Sequence, residues 1–358
     1  MGGQPAAPAS PAVARNLPQD APQDQVSRAH VEAHIRLLPA KRAADGDEEH
    51  RRGLQEAEDL LVARLKEMGH EPVLEPVQFT PIMRRGEGGV REVIPVEQRT
   101  PLTSHNIIVE FPGTDPALRH EVLLFGAHYD AVPFSPGADD NASGVAVALE
   151  LARLLKDRPT KRTIRVVFFA LEEVGLVGAR VHAMNAAAAA RRRPEQNAAG
   201  DAPAAQPAPP RIVGMVTLEM LGYYSDKPNS QRSPVPPIEG VFEPPTVGDF
   251  LAVATTRAHA DFATRFHDAM RASEPQKKLF LATFFPDLPL TPRDILRSDH
   301  APFLVLGMPG VMLTDTSNFR NPHYHLPSDT IETLDLDRLT LAARAVVGAA
   351  YSLAEPAE

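Results

Sequence analysis

The sequence contains no cysteine. That absence excludes disulfides, thiolate nucleophiles and Cys-ligated zinc together. It leaves the compartment open, because such a chain folds equally well in oxidising and reducing surroundings. There is no uninterrupted run of about 18 apolar residues, so no transmembrane helix is expected. Positive charge is not in excess: 37 Lys and Arg stand against 46 Asp and Glu, a formal charge of −9. Without a net positive field to draw phosphate in, nucleic acid is a poor partner. Residues 1–23, MGGQPAAPASPAVARNLPQDAPQ, lack the charged start and apolar centre of a signal peptide. Their Pro/Ala-rich polar composition reads as a flexible tether on an exported, periplasmic or envelope-associated protein whose signal has been removed. The alternative is a disordered terminus of a cytoplasmic protein.

What is present points to one large domain over 24–358. Hydrophobic residues are 43% of the 358, enough for a sizeable core. Residues 24–70 carry helical periodicity in two pieces broken near Pro39, the second ending at Gly69 as at a C-cap. Strands are expected at 73–79, 105–113, 121–130, 163–171 and 212–221, and a further buried strand within 303–315. Helices are expected over 142–155, from 175 to 184, over 250–273 and over 336–353. Residues 186–210 hold an Ala run, an Arg run and a Pro/Ala tract, read as a low-complexity surface insertion. Strands alternating with helices give an α/β fold in three layers, with a mixed, largely parallel central sheet flanked by helices.

The strand ends carry the chemistry. In open α/β sheets the ligand site lies beyond the carboxyl ends of the strands, and those ends hold His128 and Asp130, then Glu172 and Glu173, then Glu219. Loops add Asp139, Asp140, His325 and Asp329. Each has an ordinary reading: a polar strand end, or an N-cap at Asp139–Asn141 before the next helix. Together they gather like charges that would repel and raise one another's pKa values, and divalent cations resolve that conflict. Imidazole and carboxylate are zinc ligands. One bridging carboxylate with two further ligands per ion requires five residues, which His128, Asp139, Glu173, Glu219 and His325 supply. Asp130 is placed to accept the other N–H of His128 and fix its tautomer. The spacing to Asp329–Thr330 favours His325 over His323. Asp299 and His300 are expected to brace the site, and His259, His267 and the N-terminal histidines to lie on the surface.

The segments GAHYDAV, PGADDNASG, FFALEEVGLVGA, VTLEMLGYY, RSDHAPF and NPHYHLPSDT, in that order over roughly residues 105–340, resemble peptidase family M28. That family includes bacterial aminopeptidases, glutamate carboxypeptidases and the related glutaminyl cyclases. The resemblance implies two zinc ions per chain. His128 and Glu219 match terminal ligands of one, Glu173 and His325 those of the other, and Asp139 the carboxylate bridging both. Glu172 matches the general base that takes the proton of a metal-activated water and returns it to the leaving amine. The Asp139–Asp140 peptide matches one that is often cis. Asp140, Ser298 and Asp299 fall in the shell around the ligands.

The implied activity is a two-zinc exopeptidase acting on peptides with a free N-terminus. Some family aminopeptidases place a Tyr three residues before the Ser of SDH to steady the oxyanion. Ile295 stands there, leaving the metals alone, Tyr324, Arg297 or His300 for that task. The competing activities are a carboxypeptidase or dipeptidase and a glutaminyl cyclase. Cyclases usually carry Ser for the second Asp of the pair and a Trp before the last His ligand. This chain has Asp140 and Tyr324, and no Trp at all.

Overall fold

The computed structural model describes residues 21–85, 90–198, 208–239, 243–274, 280–284 and 293–357. Two helices lead: α1 (Arg28–Ile35) and α2 (Glu48–Glu67). The second is fixed at both ends. Asp47 accepts from the His50 amide, and Glu48 and Glu49 fill the first turn, where acids offset the helix dipole. Gly69 closes it at φ +79°, a conformation that costs other residues a Cβ clash.

The sheet is built from β1 (Val73–Phe79), β4 (Leu102–Phe111), β5 (Glu121–His128), β6 (Thr163–Phe169), β7 (Arg211–Glu219), β8 (Phe250–Ala254), β9 (Phe280–Phe284) and β10 (Gly310–Thr314). The short strands β2 (Met83–Arg85) and β3 (Arg91–Val93) pair separately. The order is β1-β4-β6-β5-β7-β10-β8-β9. The central β6, β5, β7 and β10 run parallel, and β4 and β8 flank them antiparallel.

Alternation along the central strands explains the three layers. In β5, Leu123, Phe125 and Ala127 enter one core, while Val122 and Leu124 enter the other. In β6, Ile164, Val166 and Phe168 face the first core and Val167 and Phe169 the second. A strand buried on both sides needs cover on both. The first face is covered by α1, α2, α3 (Gly144–Leu155), α5 (Ala260–Ser273) and α7 (Leu336–Leu353). The second is covered by α4 (Val177–Ala198) and α6 (Ala301–Val305), through Ala179, Ala183 and Phe303. Among the described residues no helix is long and apolar enough to cross a membrane.

Four expectations change. The run 250–273 is a strand and then a helix: FLAVA pairs with β10 and β9, and a short buried apolar run carries no periodicity to separate the two states. Residues 186–198, placed in the surface insertion, extend α4, as an Ala run permits; 199–207 lie outside the described residues. The end of the expected tether is packed: Ala21, Pro22 and Gln23 are buried, whereas 1–20 lie outside the described residues. Three of the N-terminal histidines, His34, His50 and His70, are buried with polar partners.

Candidate metal centre

His128 ends β5 and is buried. Its Nδ1 donates to the main-chain carbonyl of Asp130 at 3.2 Å, while the Asp130 carboxylate lies 3.5 Å away. That carboxylate also accepts the amides of Glu172 (3.0 Å) and Glu173 (3.1 Å). Asp130 therefore faces the imidazole with both its backbone carbonyl and its carboxylate, and ties the glutamate pair to it through its side chain. Leu171, just before the pair, sits at φ +62°, as Met220 after Glu219 does at +49° and His325 itself at +58°. Positive φ in such residues is an outlier that structures retain at functional sites.

The loop after β5 turns at Gly137 (φ +64°) into Ala138–Ser143. The Asn141 side chain pins it to the end of β7, donating to Leu218 O (2.8 Å) and accepting from Met220 N (3.1 Å). Asp329 accepts the amides of Asp139 (2.9 Å) and Asp140 (3.2 Å). The cis peptide bond joins Asp140 to Asn141, not Asp139 to Asp140.

These constraints separate the two adjacent aspartates. Asp140 Oδ1 lies 3.2 Å from His128 Nε2, and its Oδ2 lies 3.0 Å from His325 Nε2. Glu219 Oε2 is 3.6 Å from His128 Nε2, and Glu173 Oε1 is 3.3 Å from His325 Nε2. Two groups of metal-ligand type result, His128–Asp140–Glu219 and Asp140–Glu173–His325, each with its ligand atoms within 4.8 Å of one another. Asp140 is shared by both. Asp139, expected to bridge, belongs to neither. Its carboxylate turns away to accept from Gly222 N (2.8 Å) and Asn321 Nδ2 (2.7 Å). The physical reason is the turn geometry: with Asp139 and Asp140 both amide-anchored to Asp329, consecutive side chains leave in different directions, and only the second faces the strand ends.

The surrounding residues complete the centre. Ser298 donates to Glu219 at 2.6 Å. Asp299 is buried nearby, and among the described residues neither of its oxygens has a hydrogen-bond partner. Burial holds Glu172 well above the usual carboxylate range; the charge of His128 opposes that, and Glu173, Glu219 and Asp299 reinforce it. Burial lowers His325, but Glu173 and Asp140 outweigh it and push the imidazole up to about 10. His128 Nε2 is buried, 3.2 Å from Asp140 Oδ1 and 3.6 Å from Glu219 Oε2, and among the described residues no partner meets it with good hydrogen-bond geometry. A buried lone pair beside clustered carboxylates fits divalent cations bound by nitrogen and oxygen.

A cavity of about 1200 Å³ opens over Asp140, Glu172, Glu173, Glu219 and His325. Its walls include Phe79, Ile82 and Met83, the 174–176 loop, Val235, Ile238 and Phe250. Ile295, Arg297 and Tyr324 line it as well, whereas His300 is fully buried and does not. Tyr324 stacks on the His325 ring (centroids 3.8 Å apart) and its hydroxyl accepts from Arg297 at 2.9 Å. His323 binds Ser328 instead of a carboxylate. The sequence reading did not single out Asn321, Asp315 or Arg42. Asp315 accepts the amide of Tyr223 at 2.9 Å and stands beside Asp139. Its place one residue past β10, on the same rim as the other strand ends, was the available signal.

A family model, "Peptidase family M28", matches residues 106–350, and the chain belongs to that family. It is similar to the uncharacterised protein YfbL of Escherichia coli (31% identical, 71% of this chain and 74% of that one). It is also similar to aminopeptidase YwaD of Bacillus subtilis (29% identical, 70% of this chain), of whose length it spans 44%. Among solved structures it resembles the aminopeptidase from Aneurinibacillus sp. strain AM-1 (TM-score 0.62, 18% identical, 94% and 96% covered). A glutaminyl cyclase of Fimbriiglobus ruber resembles it nearly as well (TM-score 0.58, 18% identical, 96% and 98% covered).

Proposed function

Starting from membership of a peptidase family, we propose that the chain is a two-zinc exopeptidase that releases N-terminal residues from peptides. The observation that carries this reading is the pair of ligand triads sharing Asp140. Each triad offers imidazole and carboxylate, the donor set zinc takes, and three protein ligands leave a position open for catalysis. When bound, the two ions would polarise the scissile carbonyl and lower the pKa of the attacking water.

The chain's own residues do the rest. Glu172 stands half-buried at the cavity floor. In its ionised form it takes the water's proton and passes it to the leaving amine. Tyr324, its hydroxyl already accepting from Arg297, has its O–H free to donate to the developing oxyanion, replacing the Tyr that Ile295 displaces. The apolar walls of the cavity exclude water from the substrate side chain beside the scissile bond. An exported location belongs to the same proposal, on the strength of the Pro/Ala-rich polar lead.

The fold is shared with a cyclase, and the reading of this chain as an exopeptidase draws its support from the centre. Asp140 with both oxygens committed, each to a different triad, supports two ions. The test is a panel of aminoacyl-anilides and N-terminal glutaminyl peptides given to the zinc-loaded chain and to Glu172→Gln. The expected result is amine release with two zincs per chain, and a loss of about 10²–10⁴-fold in turnover for the variant at unchanged metal content. Pyroglutamate formation without amine release from the anilides would overturn the assignment.

A further inference from the structure

Arg42 lies in the connection between α1 and α2, outside the matched family region. Only 1% of it is exposed. Its guanidinium donates from Nε to Tyr129 O (2.8 Å), from Nη1 to Pro39 O (2.9 Å) and Pro136 O (2.5 Å), and from Nη2 to Gly137 O (2.7 Å). Its own carbonyl accepts from Ala131 N at 3.0 Å. His50, at the start of α2, adds a bond from Nε2 to Pro133 O at 2.6 Å. The loop from Tyr129 to Gly137 is thus held at five positions by residues that precede the sheet. This loop starts beside one metal-ligand candidate, His128, and ends three residues before the shared one, Asp140.

We infer that Arg42 is a positioning residue for the metal centre, acting through this loop to set the separation of His128 and Asp140; the inference rests on the two-ion reading above. A guanidinium suits the task because its planar fork satisfies several fixed carbonyls at once, which a lysine's single ammonium does not. The approach is tight: a Cβ on Gly137 would lie 2.6 Å from Nη2. Among the described residues no carboxylate hydrogen-bonds the side chain, yet Asp329, Asp130, Asp140 and Glu173 all lie within reach of its charge. A fixed cation below the acidic cluster relieves their mutual repulsion and holds the ligand carboxylates in place before any ion binds. Opposite it, Asp329 fixes the amides of Asp139 and Asp140, so the loop is gripped between one buried cation and one buried acid.

The test measures zinc affinity of the full chain, stripped of metal, by competition with a chromophoric chelator. The variants are Arg42→Gln, Arg42→Lys and a control, Glu150→Gln, which removes the buried charge that bonds His34 of α1 and Arg153 of the same helix α3. Melting temperatures of the metal-free proteins are measured alongside. Arg42→Gln should weaken zinc binding about 10–100-fold, the range for residues that orient ligands. Arg42→Lys, which keeps the charge and loses the fork, should fall between it and wild type. Glu150→Gln should lower the melting temperature and leave zinc affinity unchanged. Wild-type affinity in Arg42→Lys and Arg42→Gln would overturn the inference, as would an equal loss in the control. If Arg42→Gln does not fold, Arg42→Lys decides alone: weakened binding supports the role and wild-type binding rejects it. A wild-type chain that takes up no zinc would overturn the two-ion reading itself.

Discussion

The two aspartates of GADDN offer the sharpest test of the centre, because Asn substitution at each leaves the backbone turn alone and changes one oxygen. At position 140 the two carboxylate oxygens face different imidazoles, 3.2 and 3.0 Å away. An Asn there keeps one oxygen and presents an NH₂, which has no lone pair for a cation, to the other site. Zinc bound by four protein ligands is held by roughly 10–16 kcal/mol, or roughly 2.5–4 kcal/mol per ligand on that scale. One lost ligand therefore weakens the affected ion by about two to three orders of magnitude, and loss of the bridging charge weakens its neighbour too. Asp140→Asn should bind at most one zinc tightly.

At position 139 the same change meets different partners. The carboxylate accepts from a backbone amide and from Asn321, and an Asn can keep only one of them. The other donor, buried and unpaired, costs about 1–3 kcal/mol of folding stability. Asp139→Asn should therefore melt lower and still bind two zincs. Elemental analysis after gel filtration, with calorimetry on the same samples, reads both quantities. Two zincs in Asp140→Asn together with loss of metal in Asp139→Asn would refute the reasoning and restore the bridging role to Asp139.

Two further outcomes follow from the geometry. Tyr324→Phe removes the hydroxyl that meets Arg297 and should reduce kcat by about 10²–10³-fold, the effect of one oxyanion donor, with zinc content unaltered; full activity would leave that task to the metals and Arg297. Glu75 tests pH linkage far from the centre. Burial raises its pKa, but bonds from His182, Asn106 and Asn185 outweigh that and carry it down to about 2. A depressed carboxylate stabilises the fold above its unfolded pKa, and that stabilisation is lost as pH falls towards the folded value. Glu75→Gln should therefore melt below wild type at pH 7, with the gap closing between about pH 4.5 and 2; an equal gap at pH 7 and pH 3 would contradict it.

The layered fold was legible because its signals are local. Gly69 and the Asp47–Glu49 start of α2, the apolar runs of β5 and β6, and the 336–353 periodicity of α7 each fix an element without reference to the rest. FLAVA at 250–254 was not legible, because five buried residues suit either a strand or a helical turn, and only the neighbouring β10 decides. The Ala run after Met184 misled in the opposite direction. Its monotony suggested an unstructured insertion, yet alanine has the highest helix propensity, and α4 continues through it.

The site divides along the same line. Residues at strand ends, His128, Glu172, Glu173 and Glu219, stand out as candidates because a buried apolar strand that delivers a charge to its carboxyl end has few other reasons to do so. The choice between Asp139 and Asp140 depends on the direction each side chain leaves a turn, and that direction is set by Asp329, almost two hundred residues further along the chain. No window of sequence around GADDN contains that information. Arg42 lies further still from local inference, since an arginine next to Lys41 looks like any surface cation. Its role arises only when Tyr129, Pro136 and Gly137 present their carbonyls to one plane. A buried cation without a bonded carboxylate is costly, and the cluster of acids above it is costly for the opposite reason. Each makes the other tolerable, so the acidic centre and the N-terminal segment that underlies it have to fold as one unit.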